Sequence, residues 1–169
     1  TADGLPGMTI TAIMQDKKGY LYIGTYDGLV RFDGVEFINY TRTLDPKYDF
    51  ASVRAIFQDE AENIWVGHND EGVSCIKPSG EIEMFNMETG IPNNSVRAIC
   101  EDKDHNIWLG TAAGLCYITP SKKIVTPNGL SELGQEKILV SKLYCDTAGR
   151  IWISTALENE LFVYSNRKL

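Results

Sequence analysis

No stretch of the 169-residue sequence approaches the roughly 18 apolar residues that a membrane-crossing helix needs. The N-terminus also lacks the basic, apolar, then small-residue order of a secretory leader, which leaves a cytosolic protein or a mature or excised piece of a longer one. Histidine is scarce, with only His68 and His105. The four cysteines, Cys75, Cys100, Cys116 and Cys145, show no C-x-x-C spacing, so neither a zinc nor a redox motif is supported. Gly-x-Ser-x-Gly, a phosphate loop and a metal-ligand cluster are all missing, and no catalytic residue, cofactor or metal site is assigned. Basic residues are outnumbered, 16 against 23 acidic, for a net charge of -7. Such a surface repels phosphate backbones, so nucleic acid and anionic membrane are poor partners. What remains is ordinary for a globular domain with a core, 43% hydrophobic and 23% charged.

The chain does, however, repeat itself. "IMQDKKGYLYIGTYDGL" (Ile13 to Leu29), "IFQDEAENIWVGHNDEGV" (Ile56 to Val73) and "ICEDKDHNIWLGTAAGL" (Ile99 to Leu115) are one pattern, with a looser copy in "LYCDTAGRIWISTALENEL" (Leu143 to Leu161). Asp16, Asp59, Asp102 and Asp146 are spaced by 43, 43 and 44 residues, and so are Tyr22, Trp65, Trp108 and Trp152. Gly24, Gly67 and Gly110 hold another column, in which the last copy has Ser154. Repeat boundaries fall at about 4–46, 47–89, 90–128 and 129–169 within one region.

Each copy reads as four short strands. In the first they cover Thr9 to Gln15, Tyr20 to Thr25, Leu29 to Phe32 and Val35 to Tyr40, separated by Gly- and Asp-containing turns. Leu130 to Leu139 has room for a single helical turn. A sheet with one wet face alternates apolar and polar residues. Here Ile64-Trp65-Val66, Ile107-Trp108-Leu109 and Ile151-Trp152-Ile153 are apolar without interruption, so the second strand is expected to be buried on both faces. The short links exclude parallel crossovers. The expectation is an all-β chain, a β-propeller of about four four-stranded antiparallel blades, as a partial ring. A sandwich or barrel is the alternative, but neither requires equal quarters.

Gly90-Ile91-Pro92, Ser95 to Ile99, Asp102, Ile107 to Thr111 and Gly114-Leu115, with their counterparts in the first two copies, resemble the two-component regulator propeller repeat. That resemblance implies a propeller in the extracytoplasmic, periplasmic sensor region of a membrane-anchored bacterial signalling protein. It further implies a non-catalytic segment that recognises a ligand or partner, a glycan or other small molecule among them. A propeller enzyme such as a lyase, and a plain protein-interaction scaffold, are the alternatives. The copies are not identical: Tyr22 stands for Trp, His68 for threonine, and Glu158-Asn159-Glu160-Leu161 for the terminal Gly-Leu.

Strands running up and down bring the turns after the second and fourth strands to one end of each blade. Those turns vary among copies, and function tends to sit on variable loops of a regular scaffold. The expected ligand-binding residues are therefore Tyr26, Asp27, His68, Asn69, Asp70 and Glu71. The Asp and Trp columns are expected to be structural. Asp102-Lys103-Asp104-His105-Asn106 imitates the start of a calcium loop, but Ala113 stands where the closing carboxylate belongs, and turn chemistry explains it better. Arg54 and Arg97 share a column; alternation places them on the face of Ile56 and Ile99, as inter-blade clamps or, less favoured, anion ligands. The cysteines read as small buried hydrophobes, with a disulfide such as Cys75–Cys116 left open for an oxidising compartment. An open arc bares an apolar face at each end, so the chain is expected to self-associate as a dimer through its end blades.

Overall fold

The computed structural model describes residues 5, 7–40, 50, 52–129, 138–156 and 160–165. Among the described residues, fifteen strands form four antiparallel sheets in chain order. The first contains β1 (Ile10–Gln15), β2 (Leu21–Thr25), β3 (Gly28–Phe32) and β4 (Phe37–Asn39). The second contains β5 (Val53–Gln58), β6 (Ile64–His68), β7 (Val73–Ile76) and β8 (Ile82–Phe85). The third contains β9 (Val96–Glu101), β10 (Ile107–Thr111), β11 (Gly114–Ile118) and β12 (Ile124–Val125). The fourth shows three strands among the described residues, β13 (Val140–Cys145), β14 (Ile151–Thr155) and β15 (Leu161–Tyr164). The expected helical turn falls mostly on 130–137, and several of the long links on 41–49, 130–137 and 157–159, all outside the described residues.

Within each sheet the strands lie in sequence order, so every connection is a hairpin. The first strands pack side by side, β1 on β5, β5 on β9 and β9 on β13, whereas β1 and β13 share no comparable contact. The blades form an open arc.

The doubly apolar strand now has a physical account. Ile64 and Val66 pack with Tyr22 and Leu29 of the first blade, while Trp65, one residue between them, packs with Val96, Ile107 and Leu109 of the third. Trp108 likewise joins Ile151 and Ile153 of the fourth blade and lies 5.0 Å from the Tyr164 ring. Odd and even residues of one strand thus serve two different junctions, and every residue of β6 and β10 is buried. Burying each such side chain contributes on the order of 2 kcal/mol.

The glycine column sets how closely the blades approach. A methyl group on Gly24 would overlap Val53, one on Gly67 would lie 2.6 Å from the Val96 carbonyl oxygen, and one on Gly110 would overlap Val140. These valines are fully buried on the bare backbone of the preceding blade.

The Asp column explains the spacing of the repeat. Asp102 Oδ1 accepts the amides of Asp104 and Asn106, both at 2.9 Å, which closes the turn. Its Oδ2 accepts the indole N–H of Trp108 at 2.7 Å, six residues on. Asp59 does the same for Asn63 and Trp65, and Asp146 for Arg150 and Trp152. Asp16 accepts the amides of Lys18 and Tyr20, but Tyr22 offers no indole; its pKa is pushed up by burial and by the neighbouring Tyr40. With both oxygens of Asp102 taken by N–H donors, turn chemistry accounts for the calcium-like segment. The Trp152 indole and the Arg150 amide and guanidinium hold the Asp146 carboxyl well below the usual carboxylate range.

All four cysteines are free thiols, so the Cys75–Cys116 bridge that the sequence left open is not formed. Both side chains lie in the core between the second and third blades, where burial pushes each thiol up to about 12.

Two outcomes test this packing. Gly110→Ala is expected to lower the unfolding free energy by about 1–3 kcal/mol through overpacking, and adding Val140→Ala is expected to recover part of that loss in urea titrations. Because Asp146 is depressed in the folded state, its contribution is present above about pH 4 and is lost as pH falls below the ordinary carboxylate value. Trp152→Phe is expected to flatten the urea midpoint's dependence on pH below about 4, leaving the shape near neutrality unchanged.

Candidate functional site

At the start of every first strand the ladder slips by one residue. Ile10 pairs with Thr25 and Ala12 with Gly24; Val53 pairs with His68 and Ala55 with Gly67. The same slip separates Val96 from Ala98 and Val140 from Lys142. The skipped residues are Thr11, Arg54, Arg97 and Ser141. A bulge releases one residue from the ladder and redirects its side chain. All four line one cavity of about 290 Å³ at the inner edge of the arc, together with Thr9, Ile10 and Tyr26.

The bulge also breaks the alternation on which the arginine placement rested, so Arg54 and Arg97 do not continue the face of Ile56 and Ile99. Instead Arg54 Nε donates to Asn69 Oδ1 at 3.0 Å, and its guanidinium carbon lies 5.2 Å from the centre of the Tyr26 ring, across the junction with the first blade. Arg54 is thus anchored by an amide of its own blade and reaches across to the first blade through an aromatic face rather than a carboxylate. Arg97 differs: its Nε is buried and has no hydrogen-bond partner. Thr11 Oγ1 donates to the Val53 carbonyl at 2.6 Å, and Ser141 Oγ to the Ser154 carbonyl at 3.0 Å.

The structure separates the residues expected to bind ligand. Tyr26 lines the cavity and Asn69 reaches it through Arg54. Asp27, Asp70 and Glu71 are exposed on turns at the same end, with Asp70 accepting from Asn69 at 2.9 Å. His68 is fully buried, with Nε2 at 2.7 Å from Ser74 Oγ and its ring 5.8 Å from Phe50. Its place in the threonine column explains this. Thr25 and Thr111 each donate to the carbonyl of the glycine that closes their hairpin, at 3.1 and 2.9 Å, and accept an amide within the turn. His68 occupies that interior position with Ser74 as partner. Sequence reasoning missed Thr11 and Ser141; the available signal was one polar position recurring directly after the first, apolar residue of each blade's opening strand.

A larger cavity of about 470 Å³ lies at the opposite end between the second and third blades, floored by Trp65, Phe85 and Ile107. Its charged rim is internally satisfied: Lys77 and Lys122 both reach Glu83, and His105 Nδ1 lies 2.8 Å from Glu101. A similar cleft of about 180 Å³ separates the first and second blades, so this shape follows from blade stacking. The inner-edge cavity instead presents cationic and hydroxyl groups from all four blades, an arrangement that can hold an anion.

The sequence pattern described as two component regulator propeller matches residues 4–27 and 90–113. Over 80 residues, 43% of this chain, the sequence is 31% identical to histidine kinase P4 of Formosa agariphila, and spans 6% of that protein's length. The extracellular domain of a hybrid two-component system from B. thetaiotaomicron superposes with a TM-score of 0.73 at 20% identity, over 94% of this chain and 23% of that one. Virginiamycin B lyase from Staphylococcus aureus gives a TM-score of 0.68 at 14% identity, over 95% of this chain and 57% of the lyase. Identities this low carry the propeller fold alone, while the matched pattern coincides with the blade columns derived above. The chain carries two-component regulator propeller repeats.

Proposed function

We propose that this segment is the non-catalytic, ligand-recognising part of an extracytoplasmic, periplasmic sensor in a bacterial two-component signalling protein, and that its ligand bears a carboxylate on a hydroxylated ring, as in an acidic glycan. The propeller repeats and the likeness to an extracellular sensor domain support the signalling role. One observation carries the ligand class: four blades turn their bulge residues into one cavity, whose lining includes the two arginines Arg54 and Arg97 beside the hydroxyl-bearing Thr11 and Ser141. A guanidinium binds a carboxylate through charge-assisted hydrogen bonds, and the neighbouring hydroxyls and Tyr26 suit a sugar ring.

The likeness to virginiamycin B lyase favours a second reading, a propeller enzyme. Against it, His68 is sealed in the second blade and His105 sits at the far end on Glu101, so among the described residues no imidazole reaches the cavity. General acid–base work there would fall to groups unsuited to it at neutral pH.

Calorimetric titration with glucuronate or galacturonate against glucose separates these readings. Binding of the uronate, weakened about tenfold or more by Arg97→Gln, with no product formed, is the expected result. Equal binding of glucose, or a uronate affinity indifferent to Arg97→Gln, overturns the anion site; turnover of the bound sugar overturns the non-catalytic reading.

A further inference from the structure

Two neighbouring junctions fill the same places of the repeat with different side chains, and one of them keeps a cavity. Trp108 of the third blade meets two rings: Tyr117, its partner across the hairpin, with centroids 4.8 Å apart, and Tyr164 of the fourth blade at 5.0 Å. One junction earlier the partner of Trp65 is Cys75. The register that pairs Tyr164 with Ile151 pairs Ile118 with Ile107. Cysteine and isoleucine thus stand where two tyrosines stand at the next junction. The cavity of about 470 Å³ between the second and third blades lies there, with Trp65, Cys75, Phe85 and Ile118 in its lining. Phe85, whose ring is 5.8 Å from that of Trp65, borders this space without filling it.

The junction of the first and second blades closes the same space by another means. There the column holds Arg31, opposite Tyr22, and its guanidinium carbon lies 4.5 Å from the centre of the Tyr20 ring. The cleft that Arg31 lines is only about 180 Å³. Blade stacking gives both clefts their shape, and the column of Arg31, Cys75 and Tyr117 gives them their size. A cavity of 470 Å³ lies within the range of roughly 300–1,000 Å³ typical of small-molecule sites. The Trp65 indole N–H is already given to Asp59, so the indole offers a guest its ring alone. Four carboxylates, of Asp59, Glu60, Glu83 and Glu101, border the cavity against Lys77, Lys122 and His105. That excess of negative charge disfavours an anionic guest, while carboxylate oxygens, with two lone pairs each, keep acceptor capacity for a hydroxyl.

We propose that the cavity between the second and third blades binds a small uncharged phenol, whose ring takes the place that tyrosine fills between the third and fourth. The neighbouring junction is the template. Phenol rings pack there against an indole of the same column, so the guest reproduces a contact that the chain makes with its own side chains. Tilted and offset contacts between aromatic rings favour a flat guest over an aliphatic ring of equal size. This site lies at the other end of the blades from the inner-edge cavity, and it does not depend on the acidic-glycan reading.

Fluorine NMR titration of the intact chain with para-fluorophenol tests it. Saturable binding is expected, displaced by para-cresol and weakened about tenfold or more by Cys75→Tyr, which returns a ring to its column. Ile118→Tyr, which brings a ring from the facing blade, is expected to do the same, with circular dichroism confirming that each variant is folded. Competition on the native chain requires neither variant: cyclohexanol and para-hydroxybenzoate are expected to displace the probe about tenfold less well than para-cresol. No saturable binding, an affinity indifferent to both substitutions, or equal displacement by cyclohexanol overturns the proposal. Equal displacement by para-hydroxybenzoate overturns the preference for an uncharged guest.

Discussion

Everything in this molecule depends on a strand that belongs to two interfaces at once. In β6 and β10 neither face meets water, so neither sheet is stable as an isolated unit. A lone four-stranded sheet would expose its indole column on one side and its isoleucine column on the other. Stacking removes both from water, and it does so only if the inner strands come close enough for valine to rest on glycine backbone. Packing at this density leaves little slack, which is why a single methylene at the glycine column matters more than several charges on the rim.

The Asp–Trp tie couples the local turn to that stacking. A carboxylate held by turn amides aims its second oxygen at the indole N–H, which fixes the ring's rotation within the junction. Hairpin geometry and blade contact are thereby linked through one side chain, consistent with the six-residue interval recurring in three blades. The first blade, with Tyr22, solves the same problem differently: its ring lies 5.9 Å from Tyr40, while Arg31 reaches over Tyr20 at 4.5 Å. Exposed inter-blade ion pairs such as Lys17–Glu60 add little beside this, on the order of a few tenths of a kcal/mol each.

Much of the architecture was legible because it is periodic. Equal spacing of the Asp and aromatic columns locates the blades, and unbroken apolar triplets reveal a strand covered twice. Strand bounds in the first copy, Thr9 to Gln15 and Tyr20 to Thr25, differ from β1 and β2 by one residue at the start. The site was less legible, for a physical reason. Alternation is a rule of the regular ladder, and the functional candidates sit where the ladder slips, so Arg54 and Arg97 could not be placed by counting in twos. His68 was misleading in the opposite sense: a polar substitution in a turn column suggests exposure, yet that column faces inward in every blade, and Ser74 supplies its partner.

The slipped residue has a consequence of its own. Because it stands outside the ladder's regular pairing and away from the apolar columns, its side chain adds only a single contact to a junction, as Thr11 does on the Val53 carbonyl and Arg54 on the Tyr26 ring. Threonine, arginine, arginine and serine already occupy the four equivalent places on one scaffold. The inner rim therefore behaves as a set of interchangeable fingertips, whose chemistry can be rewritten one blade at a time while the hand beneath keeps its grip.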